Sequence, residues 1–180
     1  MIRLELADES DFDDIASWVN GHDADFLLQW AGPTYKHPLT VGQMREHYGA
    51  GLNSARAGVY LYRIIDAGSN AIVGSVQLCR FNAADNDAVV GRFIVGRASE
   101  RGRGVGQEAL KAIARIGFDS FGLTRLRLNV FDRNESAIRC YEKVGFVKYA
   151  HTPKVCQSGA GDWWHGWEMR LERERFLRDN

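Results

Sequence analysis

Apolar and charged residues alternate from Ile2 to Leu6, the period-two signature of a half-buried strand. Phe12, Ile15, Ala16 and Val19 then recur three and four apart, which predicts a helix opened by Asp8 or Ser10 as cap, with Trp18 beside its apolar face. Residues 20–39 hold Gly21, Gly32, Pro33 and Pro38 and read mostly as loop. Ordered loops of that length are uncommon and tend to carry function. Thr40 caps a second helix with Val41, Met44 and Tyr48 on one face. The period then returns to two. Residues 59–65, 71–81 and 88–95 read as three strands separated by polar turns at 66–70 and 82–87, with Gly74 marking a bulge, so an antiparallel meander is expected. Beyond it the pattern predicts a helix over 104–118, a strand over 125–130, a helix over 134–143, strands over 146–152 and 163–171, and a charged helical tail over 172–179. A meander followed by β-α-β-α-β gives an α/β chain with a mixed, mostly antiparallel twisted sheet of about seven strands, flanked by helices.

The 180 residues suit one domain spanning 1–180. With 45% apolar and 26% charged residues, disordered and collagen-like classes are excluded. Lys+Arg and Asp+Glu are 23 each, and a net charge of zero argues against a protein that coats nucleic acid. The leading residues lack the pattern of a signal peptide, and no apolar run has the roughly 18 residues of a membrane span, so a cytoplasmic protein without membrane contact is expected. Cys79, Cys140 and Cys156 are odd in number and widely spaced, which predicts neither a metal site nor a disulfide framework, and Cys140 reads as a buried structural thiol.

Candidate chemistry concentrates in two stretches. Between the strand ending at Val95 and the following helix, Gly102, Gly104 and Gly106 remove side chains from the turn, while Arg97, Arg101 and Arg103 place positive charge beside it. Backbone N–H groups there, together with the unpaired donors and dipole of a helix N-terminus, form a site for phosphate or pyrophosphate. The Lys-Ser/Thr of a nucleotide-triphosphate loop is absent, and Gln107 stands where a dinucleotide fingerprint needs glycine. The alternative is a glycine turn with no ligand. In the second stretch Asn134 caps a helix, Ala137 and Ile138 lie on its inner face, Tyr141 returns to the azimuth of Asn134 two turns later, and Gly145 ends the helix. A tyrosine on an apolar face either packs or donates a proton.

Together the two stretches resemble the GNAT superfamily of N-acetyltransferases. Arg101-Gly-Arg-Gly-Val-Gly106 matches its pyrophosphate loop, and Asn134, Ala137, Tyr141, Lys143, Gly145 and Phe146 match its second motif. The likeness is nearest to the branch of ribosomal-protein N-terminal and polyamine acetyltransferases. It implies an enzyme that moves an acetyl group from acetyl-CoA to a primary amine, of a small molecule or a peptide N-terminus, by direct attack in a ternary complex and without a metal. It implies that the backbone of Phe93, Ile94 and Val95 holds the pantetheine arm, that Arg101, Gly102, Arg103, Gly104, Val105 and Gly106 take the pyrophosphate, that Asn129 and Asn134 contact the cofactor, and that Tyr141 protonates the departing thiolate. A homodimer is compatible with it. The branch often carries an acidic residue early in the strand before the loop, and residues 88–95 have none. Asp87, Glu5, His22 and His37 are therefore the candidates for the base. The missing carboxylate also favours the alternative, a non-catalytic CoA-binding module or sensor. Residues 26–30, with Trp30 at their end, and Tyr35 and His37 in the long early segment are candidates for the amine side, as is the cluster Trp163, Trp164, His165 and Trp167, against the reading that these rings fill the core.

Overall fold

The period-two stretches join into one seven-stranded sheet of order β1-β2-β3-β4-β5-β7-β6 in a computed structural model that describes residues 1–49, 51–96 and 102–180. The strands are β1 (Ile2–Leu6), β2 (Val59–Asp66), β3 (Ala71–Asn82), β4 (Asp87–Val95), β5 (Arg125–Phe131), β6 (Val147–Gln157) and β7 (Trp163–Glu172). Five of the neighbouring pairs are antiparallel, and β4 with β5 is parallel.

Alternation along the strands divides the core between the two faces. On one face α4 (Val105–Arg115), α5 (Glu135–Val144) and α6 (Arg173–Asp179) cover Ile64, Val76, Leu78, Leu126 and Leu128. On the other α1 (Phe12–Asn20), α2 (Ala24–Ala31) and α3 (Val41–His47) pack Phe12, Ile15, Leu27 and Met44 against Leu61 and Ile94. Burying each such large side chain contributes on the order of 2 kcal/mol.

The segment expected to be loop contains α2. Asp23 caps it by accepting from the Phe26 amide at 2.9 Å, and fully buried Leu27 anchors it. Gly and Pro at both ends of the segment masked a helix that spans only eight residues. The rest of the segment is fixed by side chains. Asn20 exchanges two hydrogen bonds with the backbone of Leu39, both 2.8 Å, and Gln43 bonds the backbone of Lys36 and Pro38. The Thr40, Asn134 and Gly145 caps stand where the sequence placed them. The helix after the loop ends earlier than expected, at Arg115, and continues as a π-turn over Ile116–Ser120. Strand β6 runs five residues past the expected end, to Gln157.

Two departures from regular sheet position the site. Strands β4 and β5 pair only at Asp87↔Arg125, Ala88↔Leu126 and Val89↔Arg127, and their pairing stops there. Three residues further along β4, Arg92 and Phe93 stand opposite the single residue Val76 of β3, because the register passes from Gln77↔Gly91 to Ser75↔Ile94. Arg92 takes a left-handed φ of 45° at this bulge. A non-glycine residue there stores roughly 1–2 kcal/mol of strain, which the surrounding structure must offset. Gly74 makes the bulge possible. A Cβ on it would meet the Ile94 carbonyl oxygen at 2.2 Å.

Candidate active site

Where β4 leaves β5, a cleft of about 120 Å³ opens. The two strands line it with Gly91, Arg92 and Phe93 on one side and Asn129, Val130 and Phe131 on the other. Asn134 and Tyr141 of α5 face Phe26, Gln29 and Trp30 of α2 across it. Its walls are aromatic with a few amides, and Arg92 is the one charged residue among the described lining residues.

Tyr141 is half-buried, with its ring 6.5 Å from that of Phe93 and 6.0 Å from that of Phe146. Among the described residues its hydroxyl makes no hydrogen bond. Burial, and next to it the Cys140 thiol, hold the phenol well above its ordinary range, so it keeps its proton at neutral pH. A protonated hydroxyl in an apolar cleft is suited to donating that proton to a group that develops negative charge there.

The glycine-rich turn before α4 reaches the same place. Gly102 and Gly104 have φ of 79° and 85°, and Gly104 opens α4 without any side-chain cap. The first amides of the helix therefore keep their donors for another partner. Gly106 explains why the end of the helix lies so close to the cleft. A Cβ on it would sit 3.3 Å from the Cys140 sulfur and 3.6 Å from the Phe93 ring. α4, α5 and β4 thus meet at one glycine. An uncapped N-terminus entered through left-handed glycines, next to a narrow cleft with a buried proton donor, fits a CoA thioester.

The residues expected from sequence divide as follows. Phe93, Asn129, Asn134, Tyr141 and Trp30 line the cleft. Gly102, Gly104 and Gly106 shape the turn beside it. The Val105 and Ile94 side chains are buried in the core, which leaves only their backbone to serve a ligand. Val95 ends β4, and Arg103 is exposed. Arg97 and Arg101 lie outside the described residues. Tyr35 lines a neighbouring groove of about 520 Å³ with Thr34, Lys36, Gln43, Glu46 and His47.

None of the four suggested bases lines either cavity. Asp87 is 2% exposed, at the closed end of the β4–β5 pair, and binds Arg127 through two hydrogen bonds of 2.9 Å. Arg3 and Arg63 hold Glu5 below the usual carboxylate range. His22 stacks on Phe26 at 4.0 Å, and His37 reaches the His22 carbonyl at 3.2 Å. Of the late tryptophans, Trp164 is buried in the β5–β7 region against Phe131, and Trp163 is 47% exposed.

Phe26 and Gln29 belong to the 26–30 stretch expected on the amine side, although the helix that carries them was read as loop. Sequence reasoning missed Arg92. Arg92 carried a signal, a lone charge within the apolar run of a central strand. Its Nη1 donates to His47 Nε2 at 2.8 Å, to Gln77 Oε1 at 2.9 Å and to the Tyr48 hydroxyl at 3.2 Å. Its guanidinium lies over the Tyr35 and Tyr48 rings, 5.1 and 5.8 Å from their centroids. Desolvation and the Arg92 charge lower the His47 pKa to about 4, so the imidazole is neutral at pH 7 and accepts through Nε2.

Residues 2–147 match the family model described as an acetyltransferase (GNAT) domain. A kanamycin resistance protein of Rhizobium radiobacter is 35% identical over 54 residues, which are 30% of this chain and 50% of that protein, so the match spans about half of the relative's length. Among solved structures, the spermidine N-acetyltransferase of Vibrio cholerae in complex with CoA and spermine superposes with a TM-score of 0.81 at 18% identity, covering 98% of both chains. A dodecameric structure of the spermidine N-acetyltransferase from Vibrio cholerae gives a TM-score of 0.78 at 19% identity, covering 99% of this chain and 98% of that one. At these identities the structural likeness speaks for the fold.

Proposed function

The chain belongs to the GNAT acetyltransferase family, and from that premise we propose that it is an acetyl-CoA-dependent N-acetyltransferase acting on a primary amine, with residues 1–180 as one catalytic domain. The observation that carries this reading is the parting of β4 and β5 at a cleft that Tyr141 lines, next to the uncapped end of α4.

Acetyl-CoA supplies the acyl group as a thioester. The amides of Val105, Gly106 and Gln107, aided by Arg103 and by Arg101, take the pyrophosphate. The β5-facing backbone of Phe93 to Val95 pairs with the pantetheine arm, and an amide there stabilises the carbonyl oxygen as charge develops on it. Asn129 and Asn134 line the same passage, although the Asn134 side chain also caps α5 through the Ala137 amide at 3.3 Å. Trp30 and Tyr35 form the amine side. The attacking nitrogen gains a bond to the acyl carbon as the carbon–sulfur bond breaks. Tyr141 gives its Oη proton to the departing sulfur and regains one from solvent. The proton lost by the amine goes to water, because no carboxylate is among the described residues that line the cleft. Holding both reactants in one narrow space supplies much of the rate.

Compartment and assembly belong to the same proposal. All three cysteines are unpaired, in keeping with a reducing cytoplasm, and among the described residues no helix is long and apolar enough to cross a membrane. β6 is the last strand of the sheet, with Tyr149 61% and Val155 49% exposed, and offers an edge for a homodimer that sedimentation would detect.

The test incubates the protein with acetyl-CoA and a panel of amines while free thiol is followed. Amine-dependent thiol release is expected. Tight acetyl-CoA binding with no release from any amine would make the protein a CoA-binding module instead.

A further inference from the structure

The charge of the amine side is opposite to what a polycationic acceptor requires. Arg92 is the only charged residue among the described residues lining the cleft. In the adjoining groove Lys36 and Glu46 offset each other, and His47 is neutral at pH 7. Among the described residues no carboxylate lies within 4 Å of the Arg92 guanidinium. Its hydrogen-bond partners are an imidazole, an amide and two hydroxyls. Spermine or an aminoglycoside would thus bring several positive charges against a half-buried cation, with no carboxylate beyond the one offset by Lys36 among the described lining residues to balance them.

Arg92 links the two cavities. It lines the cleft, while its guanidinium touches Thr34, Tyr35 and His47 of the groove. Three of its bonds use Nη1. Nη2 has one long contact, 3.4 Å to Thr34 Oγ1, and Nε has none among the described residues. Nε and Nη2 form the side edge of the guanidinium, two parallel donors spaced to receive both oxygens of a carboxylate. A second donor waits nearby. Trp30 lines the same cleft, its indole N–H is buried and has no partner among the described residues, and an indole nitrogen can only donate. The left-handed φ of Arg92 adds to this picture, since strain of that kind persists where the side chain must be aimed.

We infer that the acceptor is a small amine carrying a carboxylate, with the carboxylate held by the Nε/Nη2 edge of Arg92 and the amine presented to the thioester beside Tyr141. This rests on the acetyltransferase reading and names its substrate class. Pairing the carboxylate also gives the site a second role. It fixes the orientation of a small molecule that would otherwise tumble between aromatic walls.

The experiment measures kcat/KM by thiol release for α-amino acids, each paired with its own amide, beside spermidine and kanamycin. In the wild-type protein the acid is expected to exceed its amide by about 100-fold for the preferred side chain. The ratio should fall to near one in Arg92→Gln and to an intermediate value in Arg92→Lys, which keeps the charge but loses the fork. A ratio taken within one enzyme is insensitive to the amount folded. Should Arg92→Gln not fold, Trp30→Phe, which keeps the ring and loses the N–H, must lower the same ratio. Calorimetric titration of the preferred acid into the CoA-saturated protein gives a readout without turnover, and its binding should weaken in the same variants. Equal rates for acid and amide, or a preference for spermidine or kanamycin, would overturn the inference and leave the acetyltransferase reading standing. Thiol release from no amine at all would remove both.

Discussion

Tyr141 in the cleft and His47 in the adjoining groove both depend on burial. In the proposed mechanism Tyr141 keeps its proton until sulfur departs, and its burial raises the phenol pKa accordingly. Tyr141→Phe should lower kcat by about 10²-fold or more, the low end of what a positioned acid contributes, with acetyl-CoA affinity little changed. Steady-state kinetics beside a binding titration separate the two effects, and an unaltered kcat would take Tyr141 out of the mechanism. His47 depends on burial in the other direction. Its folded pKa, about 4, lies below the 6.5 of the free side chain, so the unfolded chain takes up the proton first as the pH falls. The stability it contributes is complete above about 6.5 and is lost towards 4. Urea midpoints at pH 7 and pH 5 should differ less in His47→Gln than in the wild type. The place of Tyr141 on the inner face of α5 was legible from its spacing, while the role proposed for it came from the family resemblance. The roles of His47 and Arg92 were not, because their meeting depends on α3 lying over β4, which no local pattern encodes.

At the scale of elements, the site is the consequence of strands and helices that stop short. β4 and β5 part after three pairs, α4 begins without a cap, and α2 closes the third side. Gly104 can hold its φ of 85° because it lacks a Cβ. Gly104→Asp adds strain of about 1 kcal/mol or more and a negative charge facing the pyrophosphate. Its acetyl-CoA affinity should fall by at least tenfold in a calorimetric titration, and unaltered binding would refute the loop assignment. Gly96 tests the opposite face. Its Cβ would fall 2.1 Å from the Trp18 indole, so Gly96→Ala must displace that ring or the helix α1 that carries it. A loss of roughly 1–3 kcal/mol in chemical denaturation is expected. The glycine-rich turn and both motif helices were readable, since caps and glycines are local. α2 was not, because eight residues flanked by Gly and Pro give less periodic signal than the breakers around them. The bulge at Arg92 was equally hidden. Gly74 did mark a bulge in β3, where Val73 is the extra residue opposite β2, but the second bulge, in β4, left no such sign.

For the molecule as a whole, the sheet separates two apolar clusters and gathers the reacting groups where its strands part. The zero net charge conceals an uneven distribution, with Glu9, Asp13 and Asp14 near the start of the chain and arginines at the cofactor loop and at the amine side. With no carboxylate among the described residues of the cleft, the proposed mechanism depends on amine that arrives unprotonated. The pH dependence of kcat/KM should therefore rise with the pKa of each acceptor amine itself, shifting from one amine to the next, and a common inflection for all amines would reveal a base on the enzyme. The order of strands and helices was legible because hydrophobic period survives in every long element. The acceptor preference was not, because it depends on which side chains converge from α2, α3 and β4. The most direct measurement is the rate of CoA thiol release with saturating acetyl-CoA and the best amine of the panel, in wild type and in Tyr141→Phe. The account predicts amine-dependent turnover that the substitution lowers by about 10²-fold while acetyl-CoA still binds. Thiol release from no amine, or turnover indifferent to the loss of the hydroxyl, would contradict it.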